Sequence, residues 1–187
     1  MGIKVITPPS AVLTLAEMRL HLRLDAVLGV HPDDTLISAL LSAAVQYCEH
    51  YTQRSIGTQT LELALDAFPD GPVVLPRGPI QSVASVSYVN TAGTTTTLLN
   101  TLYAIDDYGF EAWIVAKYGT SWPYTEGSAN CVKVRYVAGS IEPAVKSALL
   151  LTLGHLYENR ENSSVLQLKS LPMGVDALLN TVRVWGV

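Results

Sequence analysis

The run TQTLELALDAF, residues 58–68, decides the architecture, because the spacing of apolar residues changes there. Leu61, Leu63 and Leu65 fall at every second position, as a half-buried strand requires. Just upstream, Leu36, Leu40, Ala44 or Val45, Tyr47 and Tyr51 follow the 3.6-residue period of a helix over about residues 34–51. Asp33 or Asp34 suits its positively polarised start. A helix that gives way to a strand within a few residues predicts a mixed chain.

Working outward, the strand pattern persists for some eighty residues. GPVVLPRGPIQSVASVSYVNTAGTTTTLL (71–99) reads as short strands with a hairpin turn near Ala92 and Gly93. LYAIDDYGFEAWIVAKYG (102–119) adds two strands around a turn at residues 106–109, and CVKVRYVAG (131–139) is the last clear strand. Helical spacing then returns in SIEPAVKSALLLTLGHLYENR (140–160), where Glu142 and Pro143 mark a start. Val145, Leu149, Leu153 or Thr152 and Leu156 form its stripe, with Ala148, Leu151 and His155 beside it. A short helix follows at about 175–181. At the other end, Thr14 and Glu17 have capping-box spacing, ahead of a stripe of Leu15, Met18, Leu22 and Leu24. The fold class is therefore α+β. Two N-terminal helices and a long helix in the C-terminal half form a helical body, and an antiparallel β module is inserted in it. The expected organisation is one domain over 1–187, with β-rich residues 58–139 between helical segments 14–54 and 142–182.

Composition narrows the function. With 187 residues, 49 % hydrophobic and only 15 % charged, the chain can bury a real core and favours oligomerisation. A net charge of −4 without a lysine or arginine block disfavours a protein that grips nucleic acid through phosphates. Cys48 and Cys131 have neither metal nor redox spacing, which suits a reducing compartment. The start MGIKVITPPS lacks a signal-peptide pattern and the myristoylation pattern. TLISALLSAAVQYC (35–48) is too short to span a bilayer, so no membrane role is expected.

Candidate chemistry is sparse. Glu17 with His21, and His155 with Glu158, each put two possible metal ligands on one helix face, but no third ligand is evident, and local hydrogen bonding is the simpler reading. Asp106, Asp107 and Glu111 surround a turn, where aspartate serves the backbone. Trp113, Trp122 and Tyr124 resemble a stacking platform, yet few cations accompany them. No hydrolase elbow, zinc-protease, P-loop or dinucleotide motif occurs. No enzyme, metal or cofactor is expected. Ser38, Ala39, Ser42 and Ala43 form a small-residue face where another helix could approach closely.

The motifs LTLAEMRLHLRLD (13–25), DDTLISALLSAAVQYCEHYTQRSIGTQTLELALDAFP (33–69), LPRGPIQSVASVSYV (75–89), YGTSWP (118–123), VKVRYVAGS (132–140), PAVKSALLLTLGHLYENRE (143–161) and LPMGVDALL (171–179) follow one another in this order. Together they resemble the head–tail connector (adaptor) proteins of long-tailed bacteriophages and related gene transfer particles. The resemblance implies a virion protein at the capsid vertex and neck, assembled in the bacterial cytoplasm. It implies a self-assembled ring, commonly dodecameric, with the portal protein on one face and a stopper or next neck protein on the other. DNA would pass through as a non-specific passenger. On this reading Ala39, Leu40, Ser42, Ala43, Tyr47 and Leu151 are expected at subunit contacts. Val182, Arg183, Val184, Trp185 and Val187 are expected to reach the portal. The C-terminal segment would be loose in the free subunit, with docking on its own core as the alternative. Another neck or tail-completion protein, and a small ligand-binding module or enzyme, stay open as other readings.

Overall fold

The computed structural model describes residues 2–25, 29–109, 111–159 and 173–185. Two compact units are built from interleaved segments: Met1–Ser10 with Gly57–Ser140, and Ala11–Ile56 with Ile141–Val187.

The second unit is helical. Its elements are α1 (Leu15–Leu22), α2 (Asp34–Thr52), α3 (Pro143–Glu158) and α4 (Met173–Asn180). The sequence signals act as read: Thr14 caps α1 in a complete capping box with Glu17, and Pro143 opens α3 after Glu142. Leu13, Met18, Ile37, Ala44, Val45, Cys48, Leu149, Leu153, Val175, Leu179 and Val182 belong to one buried cluster. On α2 the buried line is Ile37, Ala44, Val45 and Cys48. The stripe expected from Leu36, Leu40, Tyr47 and Tyr51 is only half-buried and flanks that line. The 3.6-residue period fits both lines, and only the partner helices decide between them. Burial pushes the Cys48 thiol up to about 11, so it acts as a small apolar side chain. Among the described residues no helix is long and apolar enough to cross a membrane.

The first unit is a β unit of two antiparallel sheets. A five-stranded sheet has the order β1 (Gly2–Thr7), β2 (Gln59–Leu65), β8 (Val132–Ala138), β4 (Ile80–Val89) and β5 (Thr95–Thr97). A three-stranded sheet has the order β3 (Val73–Leu75), β7 (Ala112–Ala116) and β6 (Tyr103–Asp106). Alternation fixes the register. Leu61 and Leu63 face Tyr136 and Val134 across the β2–β8 pair, and all four are fully buried. They share one core with Leu75 and Ile114 of the smaller sheet. On the other face Glu62 lies opposite both Lys4 and Arg135, and Arg135 Nη2 donates to its carboxylate at 2.6 Å.

Strand β1 is absent from the sequence reading. GIKVIT is short, runs into Pro8 and Pro9, and all six of its residues are exposed. It becomes a strand only by pairing with β2, nearly sixty residues away, with Ile3 beside Leu63 and Val5 beside Leu61. The excursion that begins after α2 closes just as tightly. A Cβ on Gly139 would lie 2.0 Å from the carbonyl oxygen of Gly57, and Gly139 has φ +111°.

Two predictions follow from these contacts. Gly139→Ala meets both a backbone clash and a left-handed φ, so it should destabilise the protein by ~2 kcal/mol or more. Gly71→Ala, with open space around the new methyl, should change little. Urea melts of the two variants compare them directly. In α1, the ammonium of Lys146 and the Thr14 amide and hydroxyl hydrogen-bond to the Glu17 carboxylate, holding it down at about 2 from an ordinary 4.5. A depressed carboxyl stabilises the fold above its unfolded value and loses that contribution as pH falls through the folded one. Glu17→Gln should therefore lower Tm most at neutral pH. The deficit should shrink between about 4.5 and about 2; a deficit unchanged down to the acid end refutes the linkage.

Candidate functional site

No catalytic constellation assembles from the expected candidates. Glu17 is committed to Lys146 and to the helix cap. The two donors near His21 do not become a set, since its ring lies against Gly154 of α3. His155 sits in the last turn of α3, where its carbonyl accepts from the Asn159 backbone amide at 3.0 Å, closing the helix end, and from the Asn159 side-chain amide at 2.9 Å. Among the described residues no three His, Cys, Asp or Glu side chains converge as a metal ion would need. Asp106 accepts the Tyr108 amide at 3.3 Å, an ordinary turn bond.

The aromatic candidates separate. Trp122 stacks on Phe68 with ring centres 4.9 Å apart, and its indole N–H donates to the Gly71 carbonyl at 3.0 Å. It fastens a loop to the sheet. Trp113 stands on β7 between Val74 and Asp106 of the adjacent strands, and Tyr124 is exposed. No ring contact among the described residues joins the three.

Two surfaces of the helical unit remain. The first is the face of α2 turned away from its core. Ser38, Ala39, Ser42 and Ala43 are all exposed, while Leu40 and Tyr47 are half-buried at its flank. The Ser38 hydroxyl donates to the Asp34 carbonyl at 2.8 Å and the Ser42 hydroxyl to the Ser38 carbonyl at 3.1 Å. Both polar groups are thus satisfied within the helix, and a second helix could approach without stranding them. Leu151 lies exposed on α3.

The second surface is the C-terminal segment, where the loose-tail expectation is corrected. Val182 is buried in its own unit, its carbonyl accepts from Arg54 at 3.3 Å, and the Val184 amide donates to the Thr52 carbonyl at 3.0 Å. An apolar side chain finds a core, and one bond from the Arg54 guanidinium and one backbone bond hold the chain, so the segment docks on its own unit. Arg183 lies between the rings of Tyr51 and Trp185, and Trp185 is 65 % exposed. Val187 lies outside the described residues. The contacts of Tyr51, read only as part of the α2 stripe, and of Arg54 with this segment escaped the sequence reading, because nothing local ties them to residues some 130 positions away.

With this geometry in view, comparisons place the chain. Residues 12–96 match the family of phage gp6-like head–tail connector proteins. A chain of the neck of an empty gene transfer agent particle, computed with C6 symmetry, aligns at TM-score 0.83 and 25 % identity, covering 100 % of this chain and 97 % of that one. A chain of the virion of the native particle aligns at TM-score 0.81 and 23 % identity with the same coverage. One from the native neck, computed with C12 symmetry, gives 0.79 and 24 %, again with 100 % and 97 % covered. No curated protein matches. Residues 12–96 thus carry the sequence pattern of the phage gp6-like head–tail connector family, and the whole chain has the fold of a chain from the neck of a gene transfer agent particle.

Proposed function

We propose that the protein is a structural subunit of the neck of a phage-like particle: copies form a ring that joins the portal of the head to the next neck or tail component and lets DNA pass. The observation that carries this reading is the whole-length likeness to a neck chain at 25 % identity. The match to head–tail connectors over residues 12–96 supports it independently. The related necks are described with C6 and C12 symmetry, and a ring of that kind needs one surface of each copy to fit a different surface of the next.

The α2 face supplies one half of such a contact. Small side chains let helix backbones come close, and the serine hydroxyls need no new partner. Leu151 extends the apolar area on α3. Portal contact is assigned to Arg183, Val184 and Trp185, because Val182 is turned into its own core. The mildly acidic chain suits passage of DNA rather than its retention. The role is architectural, and no residue is assigned a catalytic step.

Imaging of particles carrying a labelled copy tests the reading: label at the vertex between head and tail supports it, and label elsewhere overturns it. A sharper test uses Ala43→Arg. Since Ala43 is exposed in the subunit, this variant should fold with a near-normal Tm and fail to form rings by native mass spectrometry. A buried unpaired charge opposes association by a few kcal/mol, on the order of 3. Rings of normal size and stability would remove α2 from the interface.

A further inference from the structure

The β unit ends on two strands whose inward side chains stay half-open. β1 is the last strand of the larger sheet, and β6 is an outer strand of the smaller one. Ile3 and Val5 pair with Leu63 and Leu61, both fully buried, yet they are 39 % and 42 % exposed. Ile105 pairs with the fully buried Ile114 and is 43 % exposed. Paired residues share a face of the sheet, so at both places the apolar core runs on to an open edge. An edge strand also presents backbone N–H and C=O groups that a further strand can pair. Edges are commonly blunted by several charges or by proline. From Gly2 to Thr7 the one charge is Lys4, and Pro8 and Pro9 follow only after the strand has ended.

The two edges lie at opposite ends of the β unit. β1 and β5 are the outer strands of the five-stranded sheet, about 19 Å apart at the usual strand spacing. Only residues 98–102 lead from β5 to β6, and they contain a turn closed by the Leu102 amide on the Leu99 carbonyl at 3.0 Å. So short a link cannot recross the sheet, which keeps β6 on the β5 side.

We propose that β1 of one copy pairs with β6 of the next, so that a seam of β-sheet joins neighbours in the ring alongside the α2 contact. The proposal rests on the connector reading above, since a ring needs two different surfaces that fit one another. In antiparallel register, Ile3 lies opposite Ile105 and Val5 opposite Tyr103, and core-side residues meet core-side residues. On the other face Lys4 lies opposite Ala104 and diagonal to Asp106, within reach of a long side chain. Glu62, the acid beside Lys4 in its own sheet, is already engaged by Arg135 at 2.6 Å. The other edges fit less well. β5 is Thr95–Thr97 and has no apolar side chain for Ile3 and Val5, while the inward residues of β3, Val73 and Leu75, are already buried.

The test uses full-length protein, as free rings or as rings on DNA-filled heads purified from cells that lack it. Ile3→Cys and Ile105→Cys are made singly and together, oxidised mildly, and run on a non-reducing gel. Opposed residues of an antiparallel pair are ~4.5–5.5 Å apart at Cα, within disulfide range. The double variant should give a ladder of covalent multimers and each single variant none, because Cys48 and Cys131 are buried. Lys4→Asp and Asp106→Lys, both at exposed positions, should each keep a near-normal Tm. Each should weaken ring association by about tenfold through like-charge repulsion, and the two together should restore most of it, a rescue that a purely structural role would not give. No ladder in rings of normal size, or single charge variants that assemble as wild type does, overturns the seam and leaves the connector reading intact. Covalent dimers from Ile3→Cys alone assign this edge to a second β1 and overturn the pairing with β6. Should the cysteine pair fail to assemble, the charge rescue decides. Wild-type protein that forms no ring, free or on heads, overturns the connector reading as well.

Discussion

The β unit closes on one backbone crossing, that of Gly57 with Gly139. The carbonyl of Gly57 stands where a side chain of residue 139 would begin. Both residues have positive φ, 78° and 111°, so glycine satisfies the contact and the conformation together. Between the two points the chain builds the larger part of the β unit, and the last strand comes back beside the first strand after α2, with Ala138 opposite Gln59. The Gly139 amide donates to the Pro79 carbonyl at 2.9 Å, which fixes the exit. The helical segments on either side then meet within their own unit, where Arg54 reaches Glu142 at 2.8 Å.

That long-range crossing stands apart from the features that can be read from the residues in order. The capping box of Thr14 and Glu17, the proline start of α3 and the two-residue alternation of β2 are local, and each carries its own physical cause. The class of fold and most element positions follow from them. The β6–β7 hairpin and the turn before Gly93 were legible for the same reason, with Asn90 accepting the Ala92 and Thr94 amides at 3.0 Å.

Contacts between distant residues are of another kind. Strand β1 has weak local character and exists through its register with β2. Lys146 reaches Glu17 across 129 residues, and no spacing rule announces the pair. Arg183 and Trp185 stood out as an apolar chain end with one cation, but the opposing wall, Tyr51, belongs to a helix read only for its stripe. The α2 face was visible as small residues. Its exposure was not, because periodicity shows that a helix has faces without showing which face its neighbours cover.

The interleaving also sets a schedule on the ribosome. The core side of α2, with Ile37, Ala44, Val45 and Cys48, is covered chiefly by α3, whose last residue is Glu158. More than a hundred residues are made after Thr52 before that cover is complete, about 5 to 20 s at common rates of synthesis. The β unit has all its strands once Ala138 emerges, so it can form while the N-terminal helices still wait. During this interval a nascent chain carries α2 with its apolar side still uncovered by α3. Copies made on neighbouring ribosomes are then safest if they meet only after release.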